Sequence, residues 1–425
     1  MEERELAGVR LALEDFAAAM FCGFARADQR ATGARYLRGL MLDGRRKSMQ
    51  PMAARLGVDH QQLQQFLTSS TWDYVAVRRQ VAVRAIDLID PVAWVVDDTG
   101  FAKDGTASPC VARQYSGTLG KVGNCQVAVS VHAVTDAASA VLDWRLYVPP
   151  SWDQTHPETA ADLQLAAAAQ SRRARAKLPD PERHRPKWRQ ALEMIDELAG
   201  WGHVPPVVVA DAGYGQSAPF AAGLRERGIP YVLAVPAGTT ARPASAQPVT
   251  ATYQGRGRPP VPGYLDPKVT VAALATAAGR QATTGLTWRT GTKTGPGNRS
   301  AAMSSHFMAL RVRPASRGIT PAPDATQPEA WLIAEWPPES EAPTDYWLSD
   351  LPPDTPLATL VRLAKIRWRI EHDYRELKTG LGLDHFEGRS WTGWHRHVTL
   401  ASAAQLFLTQ LRLTERRTGK APGQA

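Results

Sequence analysis

The sequence Ala93-Trp94-Val95-Val96-Asp97-Asp98-Thr99-Gly100 begins the sheet-forming part of the chain, because the helical pattern of the preceding residues ends before it. Four apolar residues followed by two acids, a threonine and a glycine are typical of a strand that opens into a turn. Side chains alternate along a strand, so Trp94, Val96 and Asp98 should share one face. An acid in this position can bind a ligand or hydrogen-bond its own backbone in the turn, and both interpretations of Asp98 stay open.

The residues that follow predict a mixed sheet covered by helices. Strands are expected at 125–134, 140–148, 206–210 and 231–235. One helix is expected to end at Ala199-Gly200, and another is expected near 216–227. Three strands followed by helix, strand, helix and strand indicate an α/β fold. Asp211 directly follows the apolar strand 206–210, where a sheet edge commonly carries ligands. It could equally cap the turn before the next helix.

The rest of the chain divides by texture into further segments. Residues 1–90 place apolar side chains at helical spacing, and 237–329 is rich in Pro, Gly and Thr with short alternating runs at 284–289 and 307–312. We therefore expect a helical N-terminal region at 1–90, a sheet domain at 91–236 and 330–410, a β-rich insertion at 237–329 and a basic tail at 411–425. The longest helix is expected at 357–381.

That helix carries a polar stripe beside an apolar one. Arg367, Glu371, Tyr374 and Lys378 recur at helical spacing, and an adjacent set of apolar residues can dock on the sheet. A surface ion pair between Arg367 and Glu371 would explain two of these residues without any function. In the functional interpretation, Glu371 joins Asp98 and Asp211 as a third acid.

Charge and composition narrow the class of partner. The chain has 425 residues and a net charge of +9, and residues 237–329 hold 11 basic against 3 acidic side chains. A concentrated positive charge suggests a polyanionic partner such as nucleic acid. Three cysteines, an acidic amino terminus and the lack of an apolar run of roughly 20 residues favour a cytoplasmic protein and exclude a membrane-spanning one.

Three acids suit phosphoryl transfer. This chemistry commonly uses two divalent cations about 4 Å apart, which carboxylates neutralise. Mg²⁺ prefers oxygen ligands and keeps several waters, so two or three acids suffice. Nearby Arg and Lys side chains can then hold phosphates.

These residues resemble bacterial insertion-sequence transposases of the DDE type, whose catalytic core is ribonuclease-H-like. One large group has a signature of Tyr, two residues, Arg, three residues, Glu, six residues and Lys, and Arg367, Glu371 and Lys378 stand at those spacings. Asp98 in its Asp-Thr context matches the first acid, and Asp211 matches the second. The resemblance implies a metal-binding catalytic triad of Asp98, Asp211 and Glu371.

The resemblance also has a departure and further matches. The signature tyrosine falls on Ala364, so its phosphate contact should be absent or supplied elsewhere, with Tyr374 as a candidate. Residues 112–126 resemble the loop after the first strand in a branch of these enzymes. Trp331 matches a tryptophan that stacks on a flipped base at the transposon end, and packing in the core is its alternative explanation.

The resemblance implies a transposase that cuts DNA at the ends of its element and joins the freed 3′-hydroxyl to target DNA. Two Mg²⁺ ions, for which Mn²⁺ should substitute, would assist. The helical region 1–90 would help to bind the double-stranded terminal inverted repeats and to join two protomers, so that a homodimer forms on DNA in the bacterial nucleoid. The expected DNA contacts, beyond the triad, are Arg367, Lys378, Tyr374, Trp331, Arg256, Arg258 and Lys293. The alternatives are a ribonuclease-H-like DNA nuclease without strand transfer and a non-catalytic, DNA-binding relic of a transposase.

Overall fold

In a computed structural model of the chain, the described residues are 3–153, 159–250, 252–253, 255, 260, 262–289, 302–315 and 326–417. They fall into two compact units. Unit 1 comprises residues 1–92, 96–204 and 369–425, and unit 2 comprises residues 93–95 and 205–368. Within the described part of the chain, no helix is long and apolar enough to cross a membrane.

The helices, in chain order, are α1 Glu3–Met20, α2 Ala27–Met41, α3 Met49–Leu56, α4 His60–Thr68, α5 Tyr74–Ile89, α6 Ala160–Ala176, α7 Lys187–Gly200, α8 Ala212–Gly215, α9 Ala218–Glu226, α10 Val271–Ala278, α11 Leu357–Lys365, α12 Trp368–Arg375 and α13 Trp391–Arg417. Short 3₁₀ turns lie at Pro150–Trp152 and Arg280–Ala282, and a π-helical turn follows α12 at Glu376–Gly380. The strands are β1 Ala93–Ala102, β2 Ala112–Ser116, β3 Lys121–Val134, β4 Ser139–Leu146, β5 Val208–Ala210, β6 Tyr231–Val235, β7 Thr240–Pro243, β8 Pro248–Val249, β9 Gly263–Tyr264, β10 Val269–Thr270, β11 Thr284–Arg289, β12 Met303–Pro314, β13 Ala330–Glu335 and β14 Asp345–Ser349.

Unit 1 combines the N-terminal helices with a small sheet and the last helix. The strand order is β1-β3-β2, with β4 on β3, and β3 pairs antiparallel with both β2 and β4. Helix α13 is 27 residues long, about 40 Å, and its middle is buried against β4 and α5. It also anchors the N-terminal helices, because Arg396 donates hydrogen bonds to the carbonyls of Leu67, Ser70 and Trp72.

Unit 2 is built on a longer sheet in the order β10-β7-β12-β13-β14-β6-β5, with β11 on β12. Strands β5 and β6 are parallel, and the first residues of β1 adjoin β5, since Trp94 N donates to Val207 O at 2.8 Å. The pairs from β6 through β14, β13 and β12 to β7 are antiparallel. Strands of segment 237–329 therefore extend the sheet of β5 and β6. One face of this sheet packs on α10 around a buried apolar cluster.

The predicted order of three strands, helix, strand, helix and strand is confirmed as β1, β3, β4, α7, β5, α9 and β6. The fold is a mixed α/β fold with a ribonuclease-H-like core and added helical regions. Helix α6, strand β14 and helix α10 were not predicted. The motif at 112–126, expected as a loop, is a hairpin of β2 and the start of β3.

The helix expected at 357–381 is divided. Helix α11 ends at Lys365, where the N–H of Ile366 bonds the carbonyl of Leu363, and α12 begins at Trp368. After Arg375 the backbone widens into the π turn, closed by a bond from Leu381 N to Glu376 O at 3.1 Å. The longest described helix is α13. No proline or glycine marks the break after Lys365, so the local sequence gave no sign of it.

Candidate active site

Asp98 lies inside strand β1, which continues to Ala102, so the expected turn at 97–100 is wrong. Gly100 explains the difference: a side chain there would clash with Ser116 Oγ, so glycine allows close packing and does not mark a turn. Asp97 is 7% exposed, and its Oδ1 accepts a hydrogen bond from Asp98 N at 2.8 Å. The Asp98 carboxylate is more accessible, with 23% of its side chain exposed.

The Lys187 ammonium faces Asp98 within unit 1. Its ammonium lies 3.0 Å from Asp98 Oδ2 and 5.8 Å from the centre of the Tyr147 ring. Lys187 is the first residue of α7, directly after Pro186, which fixes where this helix begins. Sequence analysis missed this residue, because it is one of eight basic residues between Arg172 and Arg189 and nothing local distinguishes it.

Lys378 fastens the π turn to strand β1. Its ammonium donates to Thr99 Oγ1 at 2.8 Å, to the carbonyl of Gly100 at 2.7 Å and to Thr118 Oγ1 at 3.3 Å. Burial lowers the pKa of Lys378, and the negative charge of Asp384 acts in the opposite direction. Three donors reach three acceptors, so this lysine holds the segment after α12 against the strand that carries Asp98.

Tyr374 and Asp373 connect α12 to strands β3 and β4 through a buried chain of hydrogen bonds. Its hydroxyl lies 2.7 Å from Ser130 Oγ, which lies 2.9 Å from His132 Nε2. His132 Nδ1 is 3.0 Å from Asp373 Oδ2, and Ser139 Oγ donates to Asp373 Oδ1 at 2.7 Å. The pKa of the Tyr374 hydroxyl is raised well above its ordinary value by burial and by the negative charge of Asp97, with a smaller contribution from Asp98.

Glu371 is exposed in the first turn of α12, one turn before Tyr374 on the same helix face. The break before α12 changes the expected stripe, because Arg367 lies between α11 and α12 and Lys378 lies in the π turn. Unit 1 thus brings Lys378 to strand β1, which carries Asp98, and Tyr374 to the neighbouring strand β3, on elements continuous with Glu371.

Asp211 belongs to unit 2, where it caps a short helix. It follows β5 directly, and its Oδ1 accepts hydrogen bonds from Gly213 N at 2.9 Å and Tyr214 N at 3.3 Å. The capping role considered for Asp211 is therefore present. An N-terminal cap uses one carboxylate oxygen here, which is compatible with a ligand on the other oxygen.

Trp331 lies on β13 of unit 2, on the face opposite the buried cluster that contains Leu332 and Ala334. It is half-buried, its Nε1 donates to the carbonyl of Pro352 at 3.0 Å, and the Arg311 guanidinium lies 4.8 Å from its ring centre. The expected contacts Arg256, Arg258 and Lys293 lie outside the described residues.

Part of the basic charge of segment 237–329 is neutralised or hydrogen-bonded within unit 2. Arg311 and Arg313 both form ion pairs with Glu329, at 3.2 and 2.9 Å. Arg313 also donates to two backbone carbonyls and is buried. These two arginines therefore support the sheet, whatever the remaining basic residues do.

The acids of β1 provide a setting that suits a cation. Asp97 and Asp98 concentrate negative charge beside Tyr374, and the Asp98 carboxylate draws in the Lys187 ammonium. Oxygen donors of this type match Mg²⁺ and Mn²⁺. Across the described ranges, no group of three or more His, Cys, Asp or Glu side chains is arranged to hold a metal ion.

The fold and the site define an α/β protein with a ribonuclease-H-like core and an acidic site on its first strand. The chain belongs to the family described as DDE superfamily endonuclease, whose model matches residues 19–295, more than half of the chain. That superfamily generally uses divalent metals. The matched stretch contains Asp98 and Asp211 and ends before Glu371.

A curated relative gives a more specific likeness. The chain is 30% identical over 201 residues to a protein of Microchaete diplosiphon described as a probable transposase for insertion sequence element IS701. The aligned part covers 46% of this chain and 46% of the relative, so the chain matches about half the length of that relative.

Proposed function

We propose that this protein is a DDE transposase, which cleaves DNA at the ends of an insertion sequence and transfers the freed strand into target DNA. The observation that carries the proposal is the attachment of the segment bearing Glu371 to the strand bearing Asp98. Lys378 bonds Thr99 and Gly100 of β1, and Tyr374 bonds Ser130 of β3. Two carboxylates of the proposed triad are thereby held on connected elements of unit 1.

Asp211 enters the proposal from family membership and from its sequence context. The family model covers Asp98 and Asp211, whereas Glu371 rests on the Arg-Glu-Lys spacing of the resemblance. Together the three acids would hold divalent metal, for which we propose Mg²⁺ with Mn²⁺ as a substitute. Bound metal supplies activation of the attacking oxygen and stabilisation of the leaving oxygen.

The proposed reaction has two steps, a hydrolysis followed by a strand transfer. In the first, water attacks a phosphorus atom at the element end, the bond from phosphorus to the 3′ oxygen breaks, and that oxygen leaves as a 3′-hydroxyl. In the second, this hydroxyl attacks a phosphorus atom of the target DNA, a bond forms between its oxygen and that phosphorus, and the target strand's 3′ oxygen leaves as a hydroxyl. The chain's own residues hold α12 in place through Lys378 and Tyr374, while Lys187 pairs with the Asp98 carboxylate and competes with metal for its charge.

The proposal extends to partners. Double-stranded terminal repeats and target DNA are the substrates, and a homodimer assembles on them inside the bacterial cell. Arg367, Tyr374, Lys378 and Trp331 are proposed DNA contacts, with Arg256, Arg258 and Lys293 of the basic segment. The likeness to a probable transposase of an insertion sequence supports this assignment.

Carboxylate-to-amide variants test the triad. Asp98→Asn, Asp211→Asn and Glu371→Gln should each lower cleavage of duplex DNA carrying the flanking sequences by more than about a hundredfold, while DNA binding survives. Asp104→Asn and Glu226→Gln are controls, because both acids are exposed and lie outside the triad. If any of these variants cleaves as fast as the wild type, the substituted residue is not part of the catalytic triad. Cleavage without joined products supports a nuclease, and binding without any cleavage supports a relic.

A further inference from the structure

A groove of about 720 Å³ opens in unit 1, and none of the proposed catalytic acids lines it. Three separate segments form its walls: residues 47–50 at the start of α3, residues 175–177 at the end of α6, and residues 385–390 between the π turn and α13. Residues of α4 complete the lining. The triad and its supporting residues do not line this groove, so it is a feature that the proposed chemistry leaves without a role.

Most of the charged side chains that line the groove are positive. Lys47, Arg175, Lys177 and Arg389 line it, and Glu387 is the one acid among the lining residues. Glu387 is already paired, since Arg46 Nη2 lies 3.4 Å from its carboxylate. Arg175, Lys177 and Arg389 are exposed at the groove wall. Cations from three distant parts of the sequence converge here, which favours an anionic ligand.

The N-terminus of α3 adds backbone donors to these cations. Helix α3 begins at Met49, and its N-cap residue Ser48 makes no side-chain capping hydrogen bond. The first N–H groups of a helix have no partner within the helix, and the helix dipole makes this end positive. Ser48, Met49 and Gln50 all line the groove, so this end of α3 faces the same space as the cations.

The aromatic side chains of the groove are packed and hydrogen-bonded. Tyr36 is fully buried and its hydroxyl lies 2.9 Å from His397 Nδ1, while Phe386 stacks on the His397 ring at 5.3 Å. Proteins that bind single strands present exposed aromatic rings on which bases stack, whereas the Tyr36 and Phe386 rings of this groove are buried. Its chemistry therefore suits phosphates and not exposed bases.

We infer that this groove binds the phosphate backbone of duplex DNA, as a contact surface separate from the catalytic acids. This inference rests on the proposed function for the identity of the anion. Duplex DNA carries one negative charge per roughly 1.7 Å of its axis, so a groove lined by cations from three segments can meet several phosphates. The groove supplies affinity and orientation, because phosphate contacts carry no sequence information.

The first test uses the salt dependence of DNA binding by the full-length protein without metal. The slope of log K against log salt is negative, and each lost phosphate contact reduces its magnitude by about 0.9. The double variant Arg175→Gln with Lys177→Gln should therefore reduce the magnitude by about 1.8. Arg79→Gln with Arg189→Gln removes the same charge at exposed positions outside the groove and should leave the slope unchanged. Equal slopes for the wild type and the groove variant would overturn the inference.

The second test separates DNA contact from folding. Gln50→Glu places a negative charge near the N-terminus of α3, which favours the helix but repels phosphate. Gln61→Glu adds the same charge at the matching position of α4 and does not line the groove. We expect at least a threefold weaker DNA affinity for Gln50→Glu, with an unchanged or higher melting temperature, and wild-type affinity for Gln61→Glu. Wild-type affinity for Gln50→Glu contradicts the inference.

Two outcomes distinguish this inference from the proposed function. If the wild type cleaves the flanking DNA but the groove variants bind it normally, the groove inference fails and the transposase proposal stands. If titration shows that inorganic phosphate binds the groove while DNA affinity is independent of Arg175 and Lys177, the groove holds a small anion and the inference again fails. If the wild type binds no DNA, both fail.

Discussion

At the residue scale, Lys187 is the side chain whose role sequence analysis could not foresee. Its ammonium lies 3.0 Å from Asp98, so it neutralises an acid proposed to bind metal. A lysine and a divalent cation compete for the same negative charge. The ion pair is partly exposed, with 32% of the Lys187 side chain accessible, so its energy is modest, about 0.2–1 kcal/mol.

We predict that Lys187→Met lowers the Mg²⁺ concentration needed for half-maximal DNA cleavage by up to about fivefold, because a competing cation is removed. Arg189→Met is the control, since Arg189 is exposed and pairs with Glu193 at 3.5 Å. The measurement is a Mg²⁺ titration of cleavage rate. An increased Mg²⁺ requirement in Lys187→Met would mean that the lysine helps to build the metal site.

Asp350 gives a pH-dependent prediction in unit 2. Burial raises the pKa of Asp350 from 3.8 to about 6, although its Oδ1 accepts a hydrogen bond from Tyr231 N at 2.8 Å. Because the folded state favours the protonated Asp350 carboxyl, this group contributes fully to stability below its ordinary pKa of 3.8. The contribution is lost as pH rises through about 6. Asp350→Asn keeps the hydrogen-bond acceptor. The substitution should raise the melting temperature more at pH 7 than at pH 4. Asp345→Asn, an exposed acid of β14, should not.

At the element scale, α12 is held by polar contacts that its sequence pattern hides. Asp373 is buried and accepts from Ser139, and it lies 3.0 Å from His132 Nδ1. Helical periodicity predicted only that an apolar stripe of the segment can dock on the sheet. The additional contacts come from strands β3 and β4, more than 200 residues earlier, and no local pattern could reveal partners at that separation.

We predict that Asp373→Ala lowers the free energy of unfolding by about 2–4 kcal/mol, because buried polar groups of His132 and Ser139 lose their partner. Urea unfolding is the measurement. Asp87→Ala, at an exposed position of α5, should change the free energy by less than about 0.5 kcal/mol. A loss equally small in Asp373→Ala would show that the chain of hydrogen bonds does not hold α12.

Strand predictions succeeded where the apolar pattern was long and failed where packing decided. Strands β6 and β11 were placed correctly, since periodicity determines such segments. Strand β1 was ended too early, because Asp97-Asp98-Thr99-Gly100 has the composition of a turn while Gly100 answers a tertiary contact with Ser116. The break after Lys365 likewise has no breaker residue in the sequence to mark it.

For the candidate site, the sequence supplied the acids and missed their neighbours. Spacing within the signature indicated Glu371 and Lys378, and strand context indicated Asp98 and Asp211. Lys187 and Ser130 approach the site only through folding, and neither belongs to a motif. Lys378, expected to hold phosphate, donates to Thr99 and Gly100, and its phosphate role stays a prediction.

At the scale of the whole molecule, two buried histidines of α13 link stability to pH. Burial lowers the pKa of His395 to about 3 and that of His397 to about 4, from 6.5. Their stabilisation is present above pH 6.5 and is lost as pH falls through 6.5 towards 4, because the unfolded chain takes up protons that the folded state refuses.

We therefore predict that, near pH 5, His397→Gln reduces the slope of unfolding free energy against pH by about 1.4 kcal/mol per pH unit, the value for one proton. Urea unfolding between pH 4.5 and 7 measures it. His203→Gln, at a partly exposed position of unit 1, is the control. An unchanged slope in His397→Gln would show that this histidine does not contribute to acid sensitivity.

Charge has two separate meanings across the molecule. The excess of segment 237–329 suggested a single DNA grip, yet Arg311 and Arg313 pair with Glu329 within unit 2. The groove of unit 1 collects cations from segments whose net charge is small. Net charge by segment therefore identifies a candidate partner, while the fold decides which cations converge.

The proposed function requires that this protein cuts and joins DNA by means of its three acids. Mapping the DNA products tests this requirement. Wild-type protein and Glu371→Gln are incubated with Mg²⁺ and duplex DNA carrying the genomic flanks, and all broken and joined ends are mapped. We predict 3′-hydroxyl ends at the element boundary and joined products in target DNA for the wild type, and neither for Glu371→Gln. Scattered nicks without joining, or equal products from both proteins, would contradict the account.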